Sequence, residues 1–150
     1  MNLTITYPTS NDKQQWQTLY YGYAKFYNMP MNQTILDEVW SWIQDAGQQF
    51  YCLLAKNEQG QAVGFMHCRD MVSPLRGAHV GFLDDLFVLP ECRGQQVVEQ
   101  LFVRLEKEAQ HHNWTAVRWI TAEDNYRARA VYDRLAEQTI WKTYQLNVEK

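Results

Sequence analysis

Residues 82–98 read FLDDLFVLPECRGQQVV, and the rest of the fold is assembled around this run. Its first half, Phe82 to Leu89, has the aromatic and branched residues of a strand, yet it carries Asp84 and Asp85 side by side, where Asp is disfavoured. A carboxylate pair in the most hydrophobic stretch of the chain costs free energy, so it marks either a functional site or a bulge whose backbone satisfies one of the two. The second half passes through Pro90 and Arg93-Gly94 directly into a helical pattern. A strand that turns into a helix in this way presents unpaired N–H groups and the positive end of the helix dipole, a place where phosphate can sit. Arg93 adds a fixed charge, although Arg-Gly before a helix also reads as a plain turn.

Working outward, Leu3 to Tyr7 alternates like a short strand, and Thr9, Ser10 and Asp12 offer N-cap chemistry for a helix running to about Tyr27. Trp16, Leu19, Tyr20, Tyr23, Phe26 and Tyr27 fall on one wide aromatic face of that helix, which is core in part and can line a ligand site in part. A second helix follows Pro30, capped by Asn32 and ended by Gly47, with Ile35, Leu36, Val39, Trp40 and Ile43 on its buried side. Phe50 to Lys56 and Ala62 to about Met71 read as a hairpin about Asn57 to Gly60. A loop over Ser73 to Gly77 leads to the strand His79 to Leu89. A helix from about Gly94 to His112, a strand Ala116 to Ala122, a helix Asn125 to Gln138 and a last strand Ile140 to Val148 complete the order β-α-α-β-β-β-α-β-α-β. The expected fold class is therefore α/β (α+β), with a mixed, mostly antiparallel central sheet flanked by helices, in a single domain over residues 1–150.

With 150 residues, 46% of them hydrophobic, the chain can bury one substantial core. Its net charge of -3 and the absence of a Lys/Arg cluster argue against nucleic acid as a partner. The N-terminus lacks the features of a secretory signal and no apolar run reaches membrane-spanning length, so the expected location is cytoplasmic, away from membranes. Cys52, Cys68 and Cys92 have neither paired nor metal-type spacing and read as free buried thiols.

Asn125 and Tyr132 lie seven apart on one expected helix, sharing a face roughly 10 Å apart along the axis. A ligand could touch both, although Asn125 also suits an N-cap and Tyr132 a core aromatic beside Val131 and Leu135. His111-His112-Asn113 reads as a helix C-terminus rather than a metal site. His67 and His79 fall in strands with no Cys or carboxylate at ligand spacing. No nucleophilic triad stands out.

The string FLDDLFVLPECRGQQVVEQLF, followed by TAEDNYRARAVYDRLAEQTIWKTYQL, resembles the GNAT superfamily of acetyl-CoA-dependent N-acetyltransferases, closely over Phe82 to Leu146. Within it the chain is most like the spermidine/spermine-type and small histone/polyamine acetyltransferases, which share an acidic pair before an aromatic and Val-x-Pro, and an Asn...Ala-x-x-x-Tyr helix. The resemblance implies the GNAT acyl-CoA N-acyltransferase fold, with acetyl-CoA as acyl donor and no metal. It implies a small-molecule amine or lysine side chain as acceptor, attacking the thioester directly. It also implies that the backbone of Leu86, Phe87 and Val88 pairs with the pantetheine arm. Arg93, Gly94, Gln95, Gln96, Val97 and Val98 would receive the pyrophosphate, and Asn125 would contact the donor. Asp84 would act as general base, Asp85 would hold the cationic acceptor, and Tyr132 would protonate the leaving thiolate. A homodimer is common in families of this type, and the sequence leaves the oligomeric state open.

The chemistry of these residues agrees. An alkylamine near pKa 10 cannot attack until it loses a proton, and a carboxylate both attracts the ammonium and accepts that proton. Asp is one methylene shorter than Glu, which favours a bridging water. The phosphate loop departs from the family pattern: Gln96 and Val98 occupy its two small-residue positions, where a side chain crowds the pyrophosphate. A non-catalytic binding or interaction module with a degenerate loop is the alternative that this departure raises.

Overall fold

A computed structural model describes residues 1–149. Five strands form one sheet in the order β1 (Thr4–Thr6), β2 (Phe50–Lys56), β3 (Ala62–Ser73), β4 (Ala78–Val88) and β5 (Val117–Arg118). The first three pairings are antiparallel, and β4 with β5 is parallel. The helices are α1 (Lys13–Phe26), α2 (Gln33–Gln44), α3 (Val97–His111) and α4 (Tyr126–Leu135). Residues Met1–Trp119 form one compact unit and the chain from Ile120 onward a second.

In the first unit both sheet faces are covered, so β2 reads as the unbroken run Cys52-Leu53-Leu54-Ala55 rather than as an alternation. Cys52, Leu54, Phe65 and Phe87 face Trp16 and Leu19 of α1 and Leu36 and Val39 of α2. Leu53, Ala55, Met66, Cys68 and Leu83 face Val97, Leu101 and Leu105 of α3. The α2 cap is as the sequence indicates, with Asn32 Oδ1 accepting from Ile35 N at 2.9 Å. That helix stops at Gln44, however, where Asp45 turns extended and caps a short 3-10 turn through Gly47. All three cysteines are buried free thiols.

The α3 face buries one charged group, Glu108, which is 1% exposed. Arg104 Nη1 donates to it at 2.9 Å, the Tyr7 hydroxyl also donates, and His112 Nε2 lies 2.8 Å away. Burial raises the Glu108 carboxyl, but these partners outweigh it and hold the group below its ordinary value. Trp114 lies over Gly81, where a Cβ would come within 2.4 Å of the indole. Glycine there lets the chain leave α3 and return beside β4, with Gly81 N donating to Ala116 O.

In the second unit, α4 is capped by Asn125, whose Oδ1 accepts from Ala128 N at 3.4 Å. The strand expected over Ile140 to Val148 does not form. Residues 137–149 take no regular structure, and Ile140, Tyr144, Leu146 and Val148 are exposed. Their alternation is a local signal, whereas a strand exists only through a paired neighbour.

Candidate functional site

The site is built on a one-residue irregularity in β4. Counting back from the β3–β4 turn, Ser73 pairs with Ala78, and the register holds to Cys68 with Leu83; it then shifts, and His67 pairs with Asp85. Asp84 is the extra residue of a β-bulge. The bulge resets the side-chain alternation. Leu83 faces α3, and an unbroken strand would send Asp85 the same way, into the apolar core. With Asp84 inserted, Asp85 instead joins Phe87 on the face covered by α1 and α2.

On that face Asp85 enters a polar cluster inside an aromatic layer. His67 Nδ1 lies 2.8 Å from Asp85 Oδ2, and the Tyr20 hydroxyl donates to the same oxygen at 2.9 Å. The Tyr23 hydroxyl also bonds this carboxylate. On the far side of the imidazole, Trp16 Nε1 lies 2.9 Å from His67 Nε2. Trp16 and His67 are fully buried, whereas the Asp85 side chain keeps 15% of its surface open. Burial raises the Asp85 carboxyl, but His67, Tyr23 and Tyr20 together outweigh that and leave it below the usual carboxylate value. Desolvation and then the neighbouring Asp85 charge push the Tyr20 and Tyr23 phenols well up, so both remain protonated donors.

Asp84 differs. At the bulge it accepts from Arg69 Nε at 3.1 Å, and Arg69 also lies 4.8 Å over the Phe82 ring. Desolvation dominates its titration, and despite Arg69 its carboxyl is raised. Two adjacent aspartates are thus separated in basicity by their surroundings: one is held anionic, the other is readier to take a proton.

Beyond the bulge, the second edge of β4 is open. β5 pairs with β4 only at Gly81 and Phe82, so the stretch from Leu83 through Leu86, Phe87 and Val88 has no strand partner on that side among the described residues. Extended backbone without a strand neighbour suits an amide-bearing chain such as a pantetheine arm. At the end of β4, Arg93 to Val98 form the turn into α3. Gly94 has φ +77 and open space where a Cβ would stand, and the Arg93 guanidinium lies 5.0 Å over Phe26. Gln95 and Gln96 are exposed, Val97 is buried, and Val98 packs against the α3-side core. Gln96 is not in the helix but immediately before it, at φ 64 and ψ 23 in the left-handed region, which explains why a small residue suits that position. These features fit a pyrophosphate-bearing donor.

Asp84, Asp85, Leu86 to Val88 and Arg93 to Val98 therefore share the first unit, while Asn125 and Tyr132 belong to α4 in the second. Sequence spacing missed His67 and Trp16, because the pairing of His67 with Asp85 is cross-strand. His79 likewise has a carboxylate partner, Asp70, which also accepts from Trp114 Nε1 at 2.8 Å. No group of three or more His, Cys, Asp or Glu among the described residues is placed to hold a metal ion.

The model of the acetyltransferase (GNAT) family matches residues 14–136. The chain belongs to this family. As a GNAT protein it is an acetyl-CoA-dependent acetyltransferase. The D-amino-acid N-acetyltransferase HPA3 of Saccharomyces cerevisiae is 26% identical over 137 residues, covering 91% of this chain and 85% of that protein. Among solved structures, a possible acetyltransferase from Clostridium difficile 630 matches with TM-score 0.86 at 16% identity over 100% of both chains. AAC(6')-Iy, in complex with the bisubstrate analogue CoA-S-monomethyl-acetylneamine, matches with TM-score 0.82 at 18% identity, again over 100% of both chains. Both share the GNAT fold. No helix of the described residues is long and apolar enough to cross a membrane.

Proposed function

We propose that this GNAT protein acetylates a primary amine that arrives as a cation, by direct attack of the deprotonated amine on the thioester of acetyl-CoA. The observation that carries the reading is the Asp85 carboxylate. It is held anionic by His67, Tyr23 and Tyr20, lies beside aromatic rings, and stays partly open to solvent. Asp84, Asp85 and Arg69 leave the site a net negative charge that favours an ammonium. The Tyr20, Tyr23 and Tyr27 rings add cation-π surface for an alkyl chain.

In this reading Asp85 holds the acceptor, and Asp84, the more basic of the pair, takes the amine proton through a water. Tyr132 gives its proton to the departing sulfur, a role that rests on the family resemblance. The open edge of β4 at Leu86 to Val88 binds the pantetheine arm, the turn from Arg93 to Val98 the pyrophosphate, and Asn125 contacts the donor as well as capping α4. The acceptor is a small molecule, a polyamine or amino acid, or a protein lysine. The yeast relative acts on D-amino acids, which places amino acids in the test panel beside diamines.

Calorimetric titration with acetyl-CoA and CoA, followed by assay of diamines, amino acids and a lysine peptide, tests the proposal. Binding of acetyl-CoA with acetylation of at least one cationic amine is the expected result. Absence of acetyl-CoA binding, or of acetylation of every amine in the panel, would overturn the proposal.

A further inference from the structure

We infer that His67 and Trp16 act together as positioning residues that fix Asp85 for the acceptor, a role that rests on the reading of Asp85 as the acceptor-holding carboxylate. The indole N–H is a donor only, so its 2.9 Å contact with His67 Nε2 requires Nε2 to be the bare nitrogen. The ring proton then resides on Nδ1, where it points at Asp85 Oδ2, 2.8 Å away. Trp16 thereby selects the imidazole tautomer that donates to Asp85.

The alternative states are all penalised. With the proton on Nε2, two N–H groups would face each other inside a fully buried site, and Asp85 would lose its His67 donor. A doubly protonated ring would create the same clash with Trp16 and neutralise the charge that the acceptor needs. The indole is itself confined by Trp40, 5.2 Å away, and by Tyr20, 5.5 Å away. His67 is wedged between Phe65 and Tyr20, at 4.6 and 4.8 Å. The groups facing Asp85 are the Tyr20 and Tyr23 phenols from α1, His67 from β3, the Cys52 thiol from β2 and its neighbour Asp84 with Arg69. Of these, His67 has its donor direction set from behind by a group that cannot accept.

The test uses the full chain labelled with 15N-histidine and 13C-aspartate. In the wild type near neutral pH, the His67 signal, identified by its through-space contacts with the Trp16 and Tyr20 rings, should show a protonated Nδ1 and a bare Nε2. An Nε2–H tautomer or a doubly protonated ring would overturn the inference, and this reading needs no variant to fold and no turnover. In folded His67→Leu the Asp85 carboxyl should titrate about one pH unit higher or more, and His67→Asn, with an amide N–H close to the position of Nδ1, should reverse most of that change. Equal Asp85 midpoints in wild type and His67→Leu would also overturn it. With acetyl-CoA and 1,4-diaminobutane as probe, His67→Leu should raise the amine KM roughly tenfold at little change in kcat. Failure of the wild type to acetylate any amine would sink the proposed function, while the tautomer and the Asp85 midpoint would still decide whether His67 and Trp16 set that carboxylate.

Discussion

At the scale of single residues, the two aspartates of β4 have opposite titration shifts, and this separates their expected mutant phenotypes. Asp84→Asn removes the more basic carboxylate, so the amine must lose its proton to solvent; the pH at which the rate reaches its plateau should rise. Asp85→Asn removes the charge bonded by His67, Tyr20 and Tyr23, so it should act on acceptor KM. Rate measurements against pH for both variants check this, and an unchanged profile for Asp84→Asn would give that residue a purely structural place at the bulge. Tyr132→Phe deletes only a proton donor, and turnover should fall by roughly 100 to 10,000-fold with folding and donor affinity retained. Wild-type turnover in that variant would remove the phenol from the mechanism.

At the scale of elements, the turn from β4 into α3 carries the departure from the family pattern. Placed inside a helix, a glycine at 96 would cost stability, but Gln96 stands ahead of the helix with φ 64, where a non-glycine residue is strained. Gln96→Gly should therefore stabilise the protein by about 1 kcal/mol, a rise in Tm of roughly 2–4 °C. It should also tighten acetyl-CoA binding by opening the backbone. Val98→Ala is a different experiment, because Val98 packs against the α3-side core; it should lose stability whatever it does to the donor. Thermal melts with calorimetric titration separate the two effects, and a lower Tm for Gln96→Gly would count against the strain argument.

At the scale of the whole molecule, buried and half-buried carboxylates couple folding to pH. Asp12, Asp70, Asp85 and Glu108 are each held below the ordinary values of 3.8 for Asp and 4.5 for Glu, because their hydrogen bonds outweigh desolvation. For each, the unfolded chain binds a proton more readily, so the stabilisation is complete above those values and is lost as pH falls through them toward the lower folded values. Asp84, raised by burial, has the opposite sign and offsets only part of this. The urea midpoint should hold steady near neutrality and fall steeply as pH drops through the ordinary carboxylate range. A flat midpoint through that window would show that these carboxylates are not bonded as described.

The sequence by itself determined the β2–β3 hairpin, the strand-turn-helix of β4 and α3, the Asn32 cap and the family motif. All of these depend on residues close together in the chain, where periodicity, capping and turn chemistry act directly. It also singled out Asp84 and Asp85, because two carboxylates in an apolar strand conflict with local propensity. Only the tertiary structure decided which of them faces the aromatic layer, since a one-residue bulge inverts the alternation and exists only in the pairing of β4 with β3. The same pairing joined His67 to Asp85, 18 residues away, and packing of α1 on the sheet brought in Trp16, 51 residues from His67. Glu108 found Tyr7 across 101 residues. Gln96 took its left-handed backbone from the geometry that joins a strand to a helix, which its own side chain does not favour. Residues far apart in sequence can set one another's protonation and orientation only after burial removes water from between them, and that step belongs to the folded chain.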